Sequence, residues 1–247
     1  MPLLSMPSNI CVTENKNYTT CHENKCECGE QIKGIGYPFW GEYRPQFCGV
    51  QGFGLTCYGN GSTTIVIQNQ TFHALHINQS THNMTTARAD LWDNLCPVEL
   101  SNTTLNWNLF DYGPHPRVLN LTLFYDCLPE LASYDHIQER SHFQCPGGQS
   151  SGNINFFVDE LLLINPPYCK GRIKVPVFQE GLHAFWGDEH ITVEELVKQG
   201  FEADYHEMDK FQACDLCNDS GGECGADYYK SSNLLLRRWT SNPKMPR

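Results

Sequence analysis

The stretch from Cys28 to Cys57 constrains this chain most, because it is dense in cysteine, glycine, proline and aromatic residues. Gly34, Gly36 and Gly41 interrupt any helical period. Pro38 has no N–H to donate and is excluded from a central strand position. A run of this composition cannot build a regular core by periodicity, so it predicts a fold held by disulfides.

The cysteine count and the glycosylation sequons indicate the compartment. Thirteen cysteines in 247 residues are too many for an ordinary cytosolic protein. Together with eight Asn-x-Ser/Thr sequons they predict the secretory route and an oxidising exterior. An Asn-rich cytosolic metal protein is the alternative. The predicted glycosylation sites are Asn17, Asn60, Asn69, Asn78, Asn83, Asn102, Asn120 and Asn218.

The net charge and the terminal residues limit the kinds of partner and membrane attachment that the chain can have. A formal net charge of −11 argues against a nucleic-acid surface, which needs a basic face. Residues 1–10 lack the features of a signal peptide, and no stretch of ~18 apolar residues encodes a membrane span. We therefore expect the true N-terminus to lie upstream, and membrane attachment only through a span outside this chain.

The Cys28–Cys57 stretch resembles the galacturonan-binding domain of plant wall-associated receptor kinases, most closely the leaf-rust-resistance-locus branch. The second half is similar to the cysteine-rich domain that follows it in these receptors. The matching residues in the first half are Cys28-Gly29, Gly36-Tyr37-Pro38-Phe39-Trp40, Cys48-Gly49, Phe53-x-Leu55-x-Cys57, Ala87-Arg88-Ala89-Asp90 and Cys96-Pro97. Those in the second half are Cys127, Val175-Pro176-Val177, Gly200-Phe201 and Cys214-x-x-Cys217-Asn218-Asp219-Ser220-Gly221-Gly222-x-Cys224-Gly225.

The resemblance implies a mainly β, disulfide-rich fold with two small extracellular domains and one short helix in the second. The family also has two more cysteines after Gly225, which this chain lacks, and we expect truncation or altered splicing there. The predicted segments are an irregular N-terminal segment (1–27), a galacturonan-binding-like domain (28–97), a linker (98–117), a wall-associated-kinase C-terminal-like domain (118–225) and a divergent, disordered tail (226–247).

Local patterns predict several elements. Thr192 can cap a helix through Lys198, Glu195 completes the capping box, and Gly200 can end it. Phe156–Ile164 is a buried strand or a short helix, since periodicity cannot decide between them. The predicted strands are Thr63–Ile67, Phe72–Ile77 and Val118–Tyr125, with a tight turn at Tyr58–Gly61.

The order of the cysteines suggests the pairs Cys28–Cys48 and Cys57–Cys96. Cys26 falls where the family has an aromatic residue, so we expect it to be an unpaired thiol. Cys214, Cys217, Cys224 and a histidine such as His206 could instead form a zinc site, but an oxidising exterior favours disulfides. The candidate disulfide cysteines are Cys11, Cys21, Cys28, Cys48, Cys57, Cys96, Cys127, Cys145, Cys169, Cys214, Cys217 and Cys224.

The aromatic and basic residues of the first domain are the candidate ligand-binding residues. An exposed aromatic face can stack on a sugar ring, and an arginine fork matches a uronate carboxylate. Phe39 and Trp40 can equally form a small core beside the disulfides, whereas Tyr43 and Arg44 are expected to face solvent. The candidates are Tyr37, Trp40, Tyr43, Arg44, Lys33 and Arg88.

No motif predicts an enzyme. Gly148–Gly152 matches G-x-S-x-G but lacks the apolar strand before it that the nucleophile turn requires. Kinase motifs and an H-E-x-x-H pair are absent from the sequence, so we expect neither a catalytic residue nor a bound metal.

The predicted function is a polysaccharide-binding ectodomain of a plant receptor-like serine/threonine kinase, with pectin or galacturonan as the ligand implied by the resemblance. A module that binds a secreted peptide or a co-receptor is the alternative, and a secreted hydrolase is a third. We expect no cofactor apart from calcium bridging protein and pectin. A polyanionic ligand opposes the net charge of −11, so binding needs either a local basic patch or such bridging.

Overall fold

The computed structural model describes residues 15–113, 117–128, 139–145, 153–159, 169–187, 190–206, 214, 222–227 and 232–237. The chain divides into two compact units. Unit 1 consists of residues 1–66 and 206–247, and unit 2 of residues 67–205. These boundaries differ from the homology-based boundaries around residues 97 and 118, which stay a prediction.

The described residues are mainly β, which confirms the predicted fold class. The helices are α1 (Asn15–Glu23), α2 (Gln179–Gly187) and α3 (Val193–Gln199). The strands are β1 (Cys26–Cys28), β2 (Ile32–Ile35), β3 (Trp40–Gly41), β4 (Gly54–Cys57), β5 (Thr63–Ile67), β6 (Gln70–Asn78), β7 (Asn83–Arg88), β8 (Phe110–Asp111), β9 (Val118–Cys127), β10 (His142–Phe143), β11 (Ile154–Asp159), β12 (Cys169–Phe178), β13 (Phe201–Tyr205), β14 (Gly222–Asp227) and β15 (Ser232–Arg237).

The elements predicted from local patterns are present. The three predicted strands correspond to β5, β6 and β9. Of Phe156–Ile164, residues 156–159 belong to the strand β11, and residues 160–164 lie outside the described residues. Helix α3 has the predicted capping box, in which Thr192 accepts from the Glu195 N–H and the Glu195 side chain accepts from the Thr192 N–H. Gly200 follows it at φ 73°, a conformation that suits glycine.

Three expectations are wrong. The N-terminal segment, predicted to be irregular, contains α1. Tyr18 and Cys21 pack against Cys48 and stabilise this helix, which its polar sequence does not predict. Residues 222–227 pair antiparallel with residues 232–237, so residues 226–227 and 232–237 of the expected disordered tail form strands. The expected linker is packed, because Leu105 and Phe110 are buried and β8 pairs with β13.

Unit 1 is built from small pieces of sheet. β1 and β2 form an antiparallel pair, while β3 pairs in parallel with β4, which pairs antiparallel with β5. β14 and β15 form a separate two-stranded sheet. Phe39 and Phe53 are fully buried and meet edge to face, with ring centroids 5.4 Å apart. The core is too small to fix these pieces alone, so the disulfides carry much of the constraint.

Unit 2 has a larger core. β6 pairs with β7, β7 with β13, and β13 with β8, while a four-stranded sheet has the order β10-β11-β9-β12. Leu121 and Leu123 of β9 are fully buried, as the alternating pattern predicts. Phe185 of α2 and Leu196 of α3 belong to the same apolar cluster, so both helices pack against this sheet.

The disulfides correct the predicted pairing. Cys28 pairs with Cys57 rather than Cys48, and Cys96 pairs with Cys145 rather than Cys57. Cys26 is buried and free, as predicted. Cys11 and Cys217 lie outside the described residues. The remaining pairs are Cys21–Cys48, Cys127–Cys169 and Cys214–Cys224, the last of which replaces the zinc alternative.

Candidate functional site

Two of the aromatic candidates help to build unit 1. The Trp40 indole is half-buried between Gly49 and Gly54, where an added Cβ would lie 2.8 Å from the ring. Its Nε1–H donates to the Val50 carbonyl at 2.8 Å. Tyr37 is also half-buried and packs against the Cys214–Cys224 disulfide. These contacts favour the core interpretation for Trp40 and give Tyr37 a packing role.

Arg44 is buried, so the expectation that it faces solvent is wrong. Its side chain is 0 % exposed, and its guanidinium donates to several backbone carbonyls. The acceptors are Asn24 and Cys48 at 2.9 Å, Phe39 at 3.1 Å, and Cys21. These hydrogen bonds join α1, the residue just before β3 and the turn at residues 46–48, so Arg44 has a structural role.

One carboxylate compensates the buried charge of Arg44. Glu223 of β14 places Oε1 3.3 Å from Arg44 Nη2 and 2.9 Å from Lys25 Nζ, and Oε2 3.4 Å from His22 Nδ1. Burial lowers the pKa of Arg44, while the Glu223 carboxylate opposes this shift. We call His22, Lys25, Arg44 and Glu223 the Glu223 cluster.

Tyr43 lies at the tip of a tight turn and faces solvent, as predicted. Gly41 and Arg44 close the turn with two backbone hydrogen bonds, at 2.9 and 2.6 Å. The Tyr43 side chain is 63 % exposed, beside the exposed Glu42. Because Arg44 holds one end of the turn in place, the exposed Tyr43 ring is attached to a fixed backbone, which suits stacking on a sugar.

The basic candidates are not free. Lys33 is exposed, and its Nζ lies 3.0 Å from a carboxylate oxygen of Glu30. Arg88 is buried and donates Nε and Nη2 to the Asp90 carboxylate at 2.9 and 2.5 Å. The segment from residue 21 to 88 has four Lys and Arg residues, and all of them, Lys25, Lys33, Arg44 and Arg88, are paired with a carboxylate.

Arg88 and Asp90 line a cleft in unit 2 that sequence reasoning missed. Its volume of about 640 Å³ lies within the range of ligand sites. One cationic side chain against three carboxylates, Asp90, Asp93 and Glu99, gives the lining a formal charge of −2. The other lining residues are Asn69, Gln70, Thr71, Ala89, Asn94, Cys96, Pro97, Val98 and Ser101.

The cleft depends on contacts between distant residues. The Gln70 amide donates to the Asn102 carbonyl at 2.7 Å and to the Ser101 hydroxyl at 3.1 Å. Arg88 donates to the Ser101 carbonyl at 2.5 Å. Only the sequence resemblance pointed to Arg88, and nothing in the local pattern of residues 97–101 indicates that they form the opposite wall.

Comparison with known families gives two matches. Residues 21–88 match the model described as wall-associated receptor kinase galacturonan-binding, and residues 148–235 match the model described as wall-associated receptor kinase C-terminal. Together these segments make up more than half of the chain. The chain belongs to the family of wall-associated receptor kinase ectodomains.

The relatives of this ectodomain include three Arabidopsis thaliana proteins, named leaf rust 10 disease-resistance locus receptor-like protein kinase-like 1.4, 1.3 and 2.8. Their identities to the chain are 27 %, 31 % and 35 %, over 84 %, 89 % and 55 % of its length. The matched part is 29 %, 30 % and 14 % of the respective relative, so the chain spans less than a third of their length. No solved structure matches significantly.

The ectodomain also has predicted modification sites. Asn60, Asn69 and Asn102 are exposed, and Asn78, Asn83 and Asn120 are half-buried. Asn17 lies in α1, and Asn218 lies outside the described residues, as does Gly148–Gly152. Glycosylation at these sites stays a prediction.

Among the residues that the structure describes, no cluster of His, Cys, Asp and Glu side chains has the arrangement needed for a metal ion. No helix in the same ranges combines the length and the apolar character that a membrane crossing requires.

Proposed function

We propose that this ectodomain binds acidic polysaccharide of the plant cell wall, of the galacturonan type, as the outer part of a receptor-like kinase that senses the wall or defence signals. The match of residues 21–88 to the galacturonan-binding family carries this proposal. The names of the relatives support the receptor assignment, since each is a receptor-like protein kinase. The chain matches less than a third of each of these relatives, so the kinase activity in their names is not carried over to it.

The turn that carries Tyr43 is the contact surface we assign in this segment. The ring is 63 % exposed, so it can cover the apolar face of a pyranose without unfolding. Its neighbour Glu42 is exposed as well and cannot attract a uronate directly. A calcium ion bridging Glu42 and a uronate carboxylate would remove this repulsion, because carboxylates are its preferred ligands.

The lysines and arginines of residues 21–88 are already paired with carboxylates, and this limits how the segment can bind a polyanion. With Lys25, Lys33, Arg44 and Arg88 paired to carboxylates, residues 21–88 present no unpaired lysine or arginine to a polyanion. Affinity then has to come from several weak contacts repeated along the polymer, which multivalency adds together. Binding should therefore increase with oligomer length more than with the removal of salt.

A panel of immobilised polysaccharides tests the proposal. The full secreted chain is passed over de-esterified galacturonan, fully methyl-esterified galacturonan and a neutral glucan, each with calcium and with a chelator. We expect retention on the de-esterified polymer, increased by calcium. Equal retention on all three polymers, or on none while the protein is folded, would contradict the proposal.

The cleft favours a second candidate function, the binding of a basic peptide. Its lining has a formal charge of −2 and includes the apolar Pro97 and Val98 but no aromatic ring. A lysine or arginine side chain of a secreted peptide or co-receptor fits this chemistry better than a uronate does. Glu99→Gln should weaken the binding of such a peptide and leave the retention on galacturonan unchanged.

A further inference from the structure

The Glu223 cluster has the composition of a carboxylate-binding site. Lys25 Nζ, Arg44 Nη2 and His22 Nδ1 surround the two oxygens of one carboxylate, at 2.9, 3.3 and 3.4 Å. All three belong to residues 21–88, the segment that matches the galacturonan-binding family. The carboxylate comes from a residue 179 positions beyond Arg44.

The segment that supplies this carboxylate forms a small sheet of its own. β14 pairs with β15 in a two-stranded sheet, and Cys224 of β14 is joined to Cys214. No disulfide between described cysteines links this segment to residues 15–66. The ion pairs of Glu223 and the packing of Tyr37 against Cys214 and Cys224 attach this segment to the N-terminal part of unit 1, together with contacts of β14 with α1 and with residues 46–48.

The cluster is open on one side. The His22 side chain is 58 % exposed and that of Lys25 is 29 % exposed, whereas Arg44 is closed off behind them. An anion that arrives from solvent can thus reach Lys25 and His22 first. The carboxylate of a uronic acid has the same charge and the same two acceptor oxygens as that of Glu223.

We propose that His22, Lys25 and Arg44 form a cradle for a uronate carboxylate, which Glu223 occupies from within the same chain as an intramolecular competitor. This inference rests on the proposed polysaccharide ligand and adds a regulation to it. A uronate that takes the place of Glu223 removes the ion pairs between β14 and the N-terminal segment and so weakens the attachment of β14 and β15 there. Arg44 keeps an anionic partner throughout, since its buried charge would otherwise be uncompensated.

The test compares two substitutions in the full chain. Glu223→Gln removes the competing charge and keeps an oxygen that can accept from Arg44. Glu30→Gln is the matched control, because it also removes one negative charge from unit 1 but releases the exposed Lys33 instead. Trigalacturonate and triglutamate are titrated into each variant, which separates a uronic acid from an acidic peptide.

We expect Glu223→Gln to bind trigalacturonate about tenfold more tightly than the unsubstituted chain, because hydrogen bonds to a charged group are gained without a competitor. Glu30→Gln should change the affinity less than twofold, in keeping with an exposed pair. Adding Lys25→Ala to Glu223→Gln should remove the gain. Acetate should raise the melting temperature of Glu223→Gln more than chloride does at equal ionic strength.

Two results would overturn the cradle. One is equal affinity of both variants together with equal effects of acetate and chloride, and the other is tighter binding of triglutamate than of trigalacturonate. If acetate stabilises Glu223→Gln but no galacturonan binds any variant, the cradle stands and the proposed function fails. If the variant folds poorly, refolding yields in acetate and in chloride give the same comparison.

Discussion

Arg44→Ala should destabilise unit 1 strongly, because the guanidinium is a buried connector. The substitution removes donors to four backbone carbonyls and leaves Glu223 with Lys25 as its cationic neighbour. Breaking a buried ion pair by removing one partner costs about 3–5 kcal/mol. A domain is stable by only ~5–15 kcal/mol, so this loss is a large fraction of the total.

Two further substitutions separate charge from geometry. Arg44→Lys keeps the charge but cannot reach all four carbonyls with one ammonium, so we expect an intermediate loss of about 2 kcal/mol. Lys33→Ala removes an exposed cation that pairs with Glu30, and it should cost less than about 1 kcal/mol. Lys33→Ala should therefore be the most stable of the three variants, Arg44→Lys intermediate and Arg44→Ala the least stable.

The assay is denaturant unfolding of the disulfide-intact chain, combined with amide hydrogen exchange in residues 21–48. Exchange locates the effect in unit 1, since two compact units need not unfold in one step. Protection in this stretch should collapse in Arg44→Ala and persist in Lys33→Ala. An Arg44→Ala protein within about 1 kcal/mol of the unsubstituted chain would refute the connector role.

Three further predictions follow from particular environments. Burial raises the pKa of Cys26 to about 11, so this thiol should resist alkylation at pH 8 in the native protein and react once unfolded; rapid native labelling would contradict its burial. Tyr43→Ala should weaken galacturonan binding about three- to tenfold without loss of stability, whereas Tyr58→Ala, at a second exposed ring, serves as the control. Burial against Trp92 lowers the pKa of His73, so the unfolded state takes up the proton first as the pH falls through about 6.5, and stability should decrease below that pH. His73→Gln should flatten this decrease in unfolding free energy between pH 7 and 5, and an unchanged slope would assign the decrease to other groups.

Elements set by neighbouring residues were predictable from the sequence. The capping box of α3 lies within four consecutive residues, and the alternation in β9 needs no partner to be recognised. The resemblance carried over family membership and the free Cys26. Such features depend on local geometry or on the order of residues along the chain.

Features set by distant residues were not predictable. The sequence predicted an exposed Arg44, because its partner Glu223 lies 179 residues away and no periodic pattern connects the two. The pairing of Cys96 with Cys145 and the wall of the cleft at Ser101 likewise depend on how the chain returns to itself. Helix α1 depends on the packing of Tyr18 against the Cys21–Cys48 disulfide rather than on its own propensity.

A calorimetric titration of the full, glycosylated chain tests the central claim most directly. Galacturonan oligomers of increasing length are added, with their fully methyl-esterified forms as matched ligands that lack the charge. The account predicts an affinity that rises with length for the acidic oligomers and stays low for the esterified ones. An undetectable affinity for acidic oligomers of every length, in protein shown to be folded, would contradict it.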